Sequence, residues 1–193
     1  MQELFKSSYY WLDLAVGFGS PVVLFALVRL GAVDRRNWRL FWLGACIGLV
    51  WEIPIFVLSK HTSLPIIHWI RELPAHYAVF LVSHTLWDGA IFVVGVWLAV
   101  LICGRPVLSR FRWGELAVLL AWGQITAFAV EFSSVTNQAW AFIEGYWWNP
   151  TLLHAADSPI TLMMQAVWLI ASAAFYLIAL RMPAKDGVAG AND

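Results

Sequence analysis

Apolar residues gather in five long runs, which are separated by shorter polar segments. The runs cover Tyr9–Val33, Leu40–Ser59, Tyr77–Cys103, Trp113–Val135 and Pro159–Met182. As a helix, at about 1.5 Å per residue, each run can cross the roughly 30 Å of hydrocarbon in a bilayer. The first run is too long for a signal-peptide core, and no small-residue cleavage site follows it. The pattern predicts an all-α integral membrane protein, a five-transmembrane-helix bundle.

The segments between the runs add little regular structure to this prediction. There is no internal repeat, so residues 1–182 are predicted to form one transmembrane domain. Residues 183–193 are polar and rich in Gly and Ala, which predicts a disordered tail. Residues 60–76 contain the amphipathic stretch "SLPIIHWIRELP", which is expected at the lipid–water interface. Residues 136–158 contain "IEGYWWNP", which is typical of an interfacial aromatic belt.

Lys and Arg are distributed unevenly between the two ends of the predicted helices. One end holds Arg35, Arg36, Arg39, Arg105, Arg110, Arg112, Arg181 and Lys185. The segment after the second run holds only Lys60 and Arg71, and the segment after the fourth run holds neither residue type. Because cationic segments stay in the cytoplasm, we predict an outside or lumenal N-terminus and a cytoplasmic C-terminus. A multi-pass protein of a bacterial inner membrane or of the endoplasmic reticulum fits equally well.

Composition excludes several classes of protein. The chain is 61% hydrophobic and 12% charged, whereas a soluble domain is about 25% charged. Its formal net charge is zero, so there is no basic surface for nucleic acid. Cys46 and Cys103 lie in apolar runs, which favours packing over a disulfide or a metal site. The expected partners are membrane lipid and a hydrophobic lipid substrate, and a homodimer is left open.

Polar side chains inside the apolar runs carry the functional signal. They are Glu52, His84, Asp88, Gln124, Glu131 and Gln165. Each costs about 2–4 kcal/mol at the centre of a bilayer if it faces lipid. They are therefore expected to face the bundle interior.

The expected depths of these side chains converge in the outer half of the bundle. At about 1.5 Å per residue from the outer ends, Glu52, His84 and Gln165 lie about 10 Å deep. Asp88 and Gln124 lie about 16 Å deep on the same count. His84 and Asp88 are one turn apart and share a helix face. A common cavity is predicted from this shared depth.

Each of these residues also has a purely structural interpretation. A buried carboxyl group such as Glu131 can hydrogen-bond a neighbouring helix, and the amides of Gln124 and Gln165 can join helices. Asp13 and Glu115 lie near the ends of predicted helices and are expected to be solvated. The shared depth, rather than any one residue, favours a functional site.

The groups in the expected cavity favour acid–base chemistry. The chain has no motif of a serine hydrolase, zinc protease, dithiol or phosphate-binding loop. His61, His68 and His76 lack a convincing ligand spacing, so neither a metal nor another cofactor is predicted. Burial favours the protonated form of a carboxyl group, so Glu52 or Asp88 can protonate an alkene. Indole faces can then stabilise the cation, and a second group can remove a proton.

These considerations predict a role for each candidate residue. Glu52 is the expected principal acid, and Asp88 and His84 are expected to relay or accept the proton. The expected substrate contacts are Gln124, Glu131, Gln165, Trp168, Trp51 and Trp87. Such a site suits double-bond migration or cyclisation in a sterol-like or isoprenoid lipid.

Four of the runs resemble the emopamil-binding-protein family, whose EXPERA domain spans four helices and which includes sterol isomerases with five spans. The segment "LVWEIPIF" resembles the family segment that ends in a catalytic Glu, which implies that role for Glu52. The segments "TLWDGAIFVVGVW" and "GQITAFAVEF" resemble the family's Leu-Trp-Gly-Pro and Gly-Gln-Ile-Tyr runs. "QAVWLI" resembles an Asn-Ala-Leu-Trp run, which implies substrate contacts at Gln165 and Trp168. Gly48 stands where the family has a His, and Phe80 stands near the family's third-helix Glu.

A weaker resemblance is to small membrane-bound terpene cyclases. Those enzymes carry a Trp-Glu pair and an Asp-Gly pair, found here at Trp51-Glu52 and Asp88-Gly89, but usually have seven spans. Both resemblances imply a cofactor-free isomerase or cyclase that protonates an isoprenoid-derived substrate. The alternative is a non-catalytic lipid- or amine-binding protein, or a small transporter. The inverted repeats and broken helices typical of transporters are not found in the sequence.

Overall fold

A computed structural model describes residues 2–61 and 64–183, with side chains for residues 8–60 and 64–183. The tail predicted for residues 183–193 lies, apart from Pro183, outside the described residues. The helices are α1 Gln2–Arg29, α2 Arg35–His61, α3 Tyr77–Cys103, α4 Trp113–Thr136 and α5 Leu162–Ala179.

The five predicted helices are confirmed as helices. All five are long and apolar enough to cross a membrane. The bounds of α3 are those predicted, and α4 ends one residue later than expected. At the other extreme, α1 begins at Gln2 rather than Tyr9, and α5 begins at Leu162 rather than Pro159. The late start of α5 arises because the residues before it form a strand.

Helix α3 is central in the bundle. It packs against α1, α2 and α4, and α5 packs against α4 and α2. Buried apolar side chains from all five helices form one continuous core. We call the end of the bundle that carries residues 64–76 and 137–161 the strand end. The opposite end, with residues 30–34 and 104–112, is the arginine end.

Four short strands at the strand end make the all-helical prediction incomplete. Strand β1, Ile67–Trp69, pairs antiparallel with β2, Trp140–Phe142. Strands β3, Thr151–Ala155, and β4, Ser158–Thr161, form a hairpin. The stretch expected to be interfacial, residues 60–76, therefore contains a strand. The β1–β2 pair links the two long connecting segments across the strand end.

The arginine end corrects the expectation for Glu115. Its side chain is fully buried, and its carboxyl group accepts a hydrogen bond from the backbone N–H of Leu108 at 3.0 Å. It also pairs with Arg112 at 3.1 Å and accepts from the hydroxyl group of Tyr176 at 3.4 Å. Glu115 is not solvated, because residues 104–112 fold back over the end of the bundle.

Candidate functional site

Three helices bring four ionisable side chains together inside the bundle. We call these side chains the acid–imidazole cluster: Asp13 from α1, Glu52 from α2, and His84 and Asp88 from α3. Nε2 of His84 lies 2.9 Å from Oδ2 of Asp13, and Nδ1 lies 3.7 Å from Oε2 of Glu52. The side chains of His84, Asp13 and Glu52 are 16%, 14% and 8% exposed. The imidazole thus lies between two carboxyl groups from different helices.

Asp13 was expected to be solvated, and that expectation is wrong. Helix α1 begins at Gln2, so Asp13 lies about 16 Å along it at about 1.5 Å per residue. Its backbone carbonyl accepts hydrogen bonds from Nε1 of Trp87 at 3.0 Å and from Oγ of Ser83 at 3.3 Å. A Cβ atom added at Gly17 would overlap Ser83. Gly17, one turn after Asp13, therefore lets α1 approach α3. This glycine is the feature of the sequence that could have indicated the contact.

Asp88 occupies space that a glycine of α2 leaves open. Asp88 is 4% exposed, and a Cβ atom added at Gly48 would overlap its carboxyl group. Gly48 precedes Glu52 by one helical turn, so Asp88 meets the same face of α2 as Glu52. Oδ2 of Asp88 and Oε2 of Glu52 are both buried, and neither has a hydrogen-bond partner among the described residues.

His84 presents a different ring nitrogen to each carboxyl group. Nε2 lies within hydrogen-bond distance of Asp13, and Nδ1 faces Glu52. On another side, the ring of Phe56 lies edge-on to the imidazole, with centroids 5.4 Å apart. Trp69 of β1 packs on Phe56, also at 5.4 Å. The imidazole is thus connected to β1 at the strand end through two packed rings.

Aromatic rings lie beside Glu52. The rings of Trp51 and Trp168 have centroids 5.7 Å apart, and Trp168 lies 5.3 Å from Phe92. Phe92 in turn stacks on Phe175 at 4.4 Å. Trp51 is 9% exposed and Trp168 is 2% exposed. We call Trp51, Phe92, Trp168 and Phe175 the aromatic wall. Trp87, by contrast, joins α1 to α3 through its bond to Asp13.

The two candidate amides lie on α4 and α5. Nε2 of Gln124 donates to the backbone carbonyl of Gln165 at 3.0 Å, which joins the two helices. Nε2 of Gln165 is buried and has no partner among the described residues. Gln165 precedes Trp168 by one helical turn, so its free donor lies on the side of α5 that carries the aromatic wall.

Glu131 forms its hydrogen bonds with Thr161 rather than with the acid–imidazole cluster. Its Oε1 accepts hydrogen bonds from the backbone N–H of Thr161 at 2.8 Å and from the hydroxyl group of Thr161 at 3.2 Å. Thr161 is the residue that precedes α5. Glu131 therefore joins the end of α4 to the start of α5.

No family model, curated protein or solved structure matches this chain. The resemblances to the emopamil-binding-protein family and to terpene cyclases therefore stay predictions.

The histidines outside the cluster have other surroundings. In the described ranges, 2–61 and 64–183, no group of three or more His, Cys, Asp or Glu side chains is arranged to hold a metal ion. Nδ1 of His76 accepts a hydrogen bond from the N–H of Ala78 at 3.3 Å, at the start of α3. His68 lies in β1 and is exposed.

Proposed function

We propose that the five helices cross a membrane, with the strand end outside or in the lumen and the arginine end in the cytoplasm. The length and apolar character of the helices support insertion. The accumulation of Arg at one end supports the orientation. A bacterial inner membrane and the endoplasmic reticulum fit equally well.

Cysteine labelling tests this orientation. Ser109 at the arginine end and Glu144 at the strand end are both exposed. In a Cys46→Ser, Cys103→Ser background, an impermeant maleimide is expected to label Glu144→Cys in intact bacterial cells that express the protein. Ser109→Cys is expected to react only after the cells are made permeable. The opposite pattern would reverse the proposed orientation.

We also propose that the protein is a membrane-embedded acid–base enzyme. It protonates an alkene of a hydrophobic sterol-like or isoprenoid lipid and isomerises or cyclises the lipid through a carbocation. The observation that carries the proposal is the partly buried series of contacts from Asp13 through His84 to Glu52. This series combines a proton donor, an imidazole and a fixed counter-charge at one point inside an apolar bundle.

Two carboxyl groups have separate roles in the proposed reaction. Glu52 begins protonated and gives its proton to one alkene carbon; the π electron pair forms the new C–H bond and leaves the cation on the other carbon. Asp88 then takes a proton from a carbon next to the cation, and that C–H electron pair forms the new double bond. The double bond has moved, and the composition of the lipid is unchanged.

His84 is proposed to restore the starting state. It lies one turn from Asp88 on α3 and 3.7 Å from Glu52 through Nδ1, so it can return the proton from Asp88 to Glu52. Asp13 holds the ring by accepting from Nε2–H, and its negative charge stabilises the transient imidazolium. Asp13 is therefore a positioning residue.

The aromatic wall is proposed to stabilise the cation. The faces of Trp rings attract cations most strongly among the aromatic side chains, with about 2 kcal/mol available at a site without water. Trp51 adjoins Glu52 in sequence and touches Trp168. A cation formed near Glu52 can therefore contact an indole.

Turnover of defined lipids tests the proposal. The purified full-length protein in lipid nanodiscs is incubated with sterols and linear isoprenoids that contain an alkene, and the extract is analysed by liquid chromatography and mass spectrometry. At least one lipid is expected to give a product of unchanged mass and altered retention time without any added cofactor. If no lipid is converted while cationic amines of similar shape bind, the lipid- or amine-binding alternative replaces the enzyme.

A further inference from the structure

Two fully buried polar side chains meet the first turn of α5. Glu131 accepts from the N–H and hydroxyl group of Thr161 through Oε1 alone. Asn149 accepts from the N–H of Met163 through Oδ1, at 2.9 Å. Both side chains are 0% exposed. We call Glu131, Asn149, Thr161 and Met163 the α5 cap site.

Each of these side chains has one polar atom that helix capping does not use. Oε2 of Glu131 and Nδ2 of Asn149 are buried without a hydrogen-bond partner among the described residues. One oxygen per side chain is enough to satisfy the free N–H groups at the start of a helix. Buried polar atoms without a partner are rare in folded proteins. Glu131 differs from Glu52 because it lies at the N-terminal end of α5, where the helix dipole and the N–H of Thr161 favour the ionised carboxylate. With Glu131 ionised, the cap site offers one free acceptor and one free donor.

The cap site lies at a defined distance from the aromatic wall. Thr161 and Trp168 are separated by about two turns of α5, or about 10 Å at about 1.5 Å per residue. Two turns bring them to the same side of the helix. Trp168 contacts Trp51, the neighbour of Glu52. A lipid that has its alkene beside Glu52 and lies along the aromatic wall can thus extend a polar group to the start of α5, about 10 Å beyond Trp168.

We propose that the α5 cap site binds the hydroxyl group of a lipid alcohol. The hydroxyl group donates its hydrogen to Oε2 of Glu131 and accepts a hydrogen bond from Nδ2 of Asn149. An alcohol satisfies both atoms, whereas a ketone can only accept and a hydrocarbon can do neither. Neither atom is exposed to solvent, so neighbouring side chains or the loop that carries Asn149 must move to admit the ligand. The inference deepens the proposed function, because it names the substrate as an alcohol.

Replacing the free hydrogen-bond acceptor of Glu131 by a donor tests the inference. Binding is measured by competition with a tritiated alcohol on full-length protein in nanodiscs. The competitors in the first series are cholestanol, cholestanone and cholestane, and the tritiated alcohol has the same skeleton. The second series uses farnesol, farnesal and farnesane in the same way. Wild type is expected to prefer the alcohol over the carbonyl compound about tenfold in at least one series. Glu131→Gln keeps an oxygen for Thr161 but replaces the free acceptor by a donor. This variant is expected to lose the preference for the alcohol, or to reverse it.

Two further variants separate ligand binding from a structural effect. Asn149→Asp keeps the oxygen that caps Met163 and removes the free amide donor, so the preference for alcohol over hydrocarbon is expected to fall. Glu144→Gln changes an exposed carboxyl group outside the site and is expected to keep the wild-type ratios.

Two results would overturn the inference. One is a wild-type protein without any preference for the alcohol in either series. The other is a Glu131→Gln protein that binds all members of a series more weakly by the same factor, which would indicate a structural cap only. Failure of the proposed reaction differs from failure of this inference, because a protein that converts no lipid would still prefer the alcohol.

Discussion

Replacing Glu52 by Gln is expected to lower turnover of the lipid substrate by about 10²–10⁴-fold, the usual contribution of a general acid. The amide keeps the shape of the side chain but has no proton of comparable acidity to donate. Glu52 is 6% exposed, and no solvent molecule can readily substitute as the acid. The initial rate of product formation in nanodiscs is the measurement.

Retained binding distinguishes lost chemistry from lost structure in this variant. A cationic amine of sterol or isoprenoid shape imitates the carbocation and is expected to bind Glu52→Gln within a few-fold of its affinity for wild type. Glu144→Gln, an exposed carboxyl-to-amide change, serves as the matched control. A Glu52→Gln protein that converts substrate at the wild-type rate would exclude Glu52 as the acid.

Asp13→Asn is expected to lower kcat by about 10–100-fold with little change in KM. The Asn side chain can still accept the hydrogen bond from Nε2 of His84, but it no longer carries the charge that stabilises an imidazolium. Loss of one charge-assisted hydrogen bond costs about 1.5–3 kcal/mol, which corresponds to that reduction in rate. Asp34→Asn, an exposed change at the arginine end, is the control.

Combination with the Glu52 variant tests whether Asp13 acts through the same proton pathway. If Asp13 works only by positioning His84 for Glu52, then Asp13→Asn adds almost no further loss to Glu52→Gln, because residues that act as a unit are not additive. If Asp13 has a purely structural role, Asp13→Asn lowers kcat by the same factor in the wild-type and in the Glu52→Gln background. For Asp13→Asn alone, a rise in KM as large as the expected fall in kcat, with kcat itself unchanged, would also contradict the positioning role.

The sequence was sufficient to predict the helices and the approximate depth of their polar residues. An apolar run such as Tyr77–Cys103 leaves little choice of structure, and α3 has those bounds. Rise per residue is fixed in a helix, so the common depth of Glu52 and His84 followed from counting. Their contact at 3.7 Å depends in addition on the packing of α2 against α3.

Counting residues along the helices could not predict which helices pack against each other. The apolar run begins at Tyr9, so the sequence pattern predicts a solvated helix end for Asp13. Helix α1 continues to Gln2, and tertiary packing through Gly17 brings Asp13 to His84. The partnership of Asp88 with Gly48 likewise depends on the order of helices, which a single sequence does not contain.

Short elements at the ends of the bundle were also beyond sequence analysis. Strands β1 and β2 have three residues each, too few for an alternating pattern to be recognised. They form because two distant segments meet over the strand end. Glu115 and Asn149 were missed for a similar reason, since each is buried by a segment that folds back onto a helix.

Deuterium incorporation from water tests the central claim most directly. The protein in nanodiscs is incubated with a convertible lipid in heavy water, and the product is analysed by mass spectrometry and NMR. The protein is first equilibrated in heavy water and is used in excess over the lipid, because the proposed relay returns the substrate's own proton to Glu52 after the first turnover. Proton donation from Glu52 then predicts one deuterium per product molecule on the carbon that the double bond has left. Equilibrated wild-type protein that converts the lipid in its first turnover without incorporating deuterium would contradict protonation by Glu52.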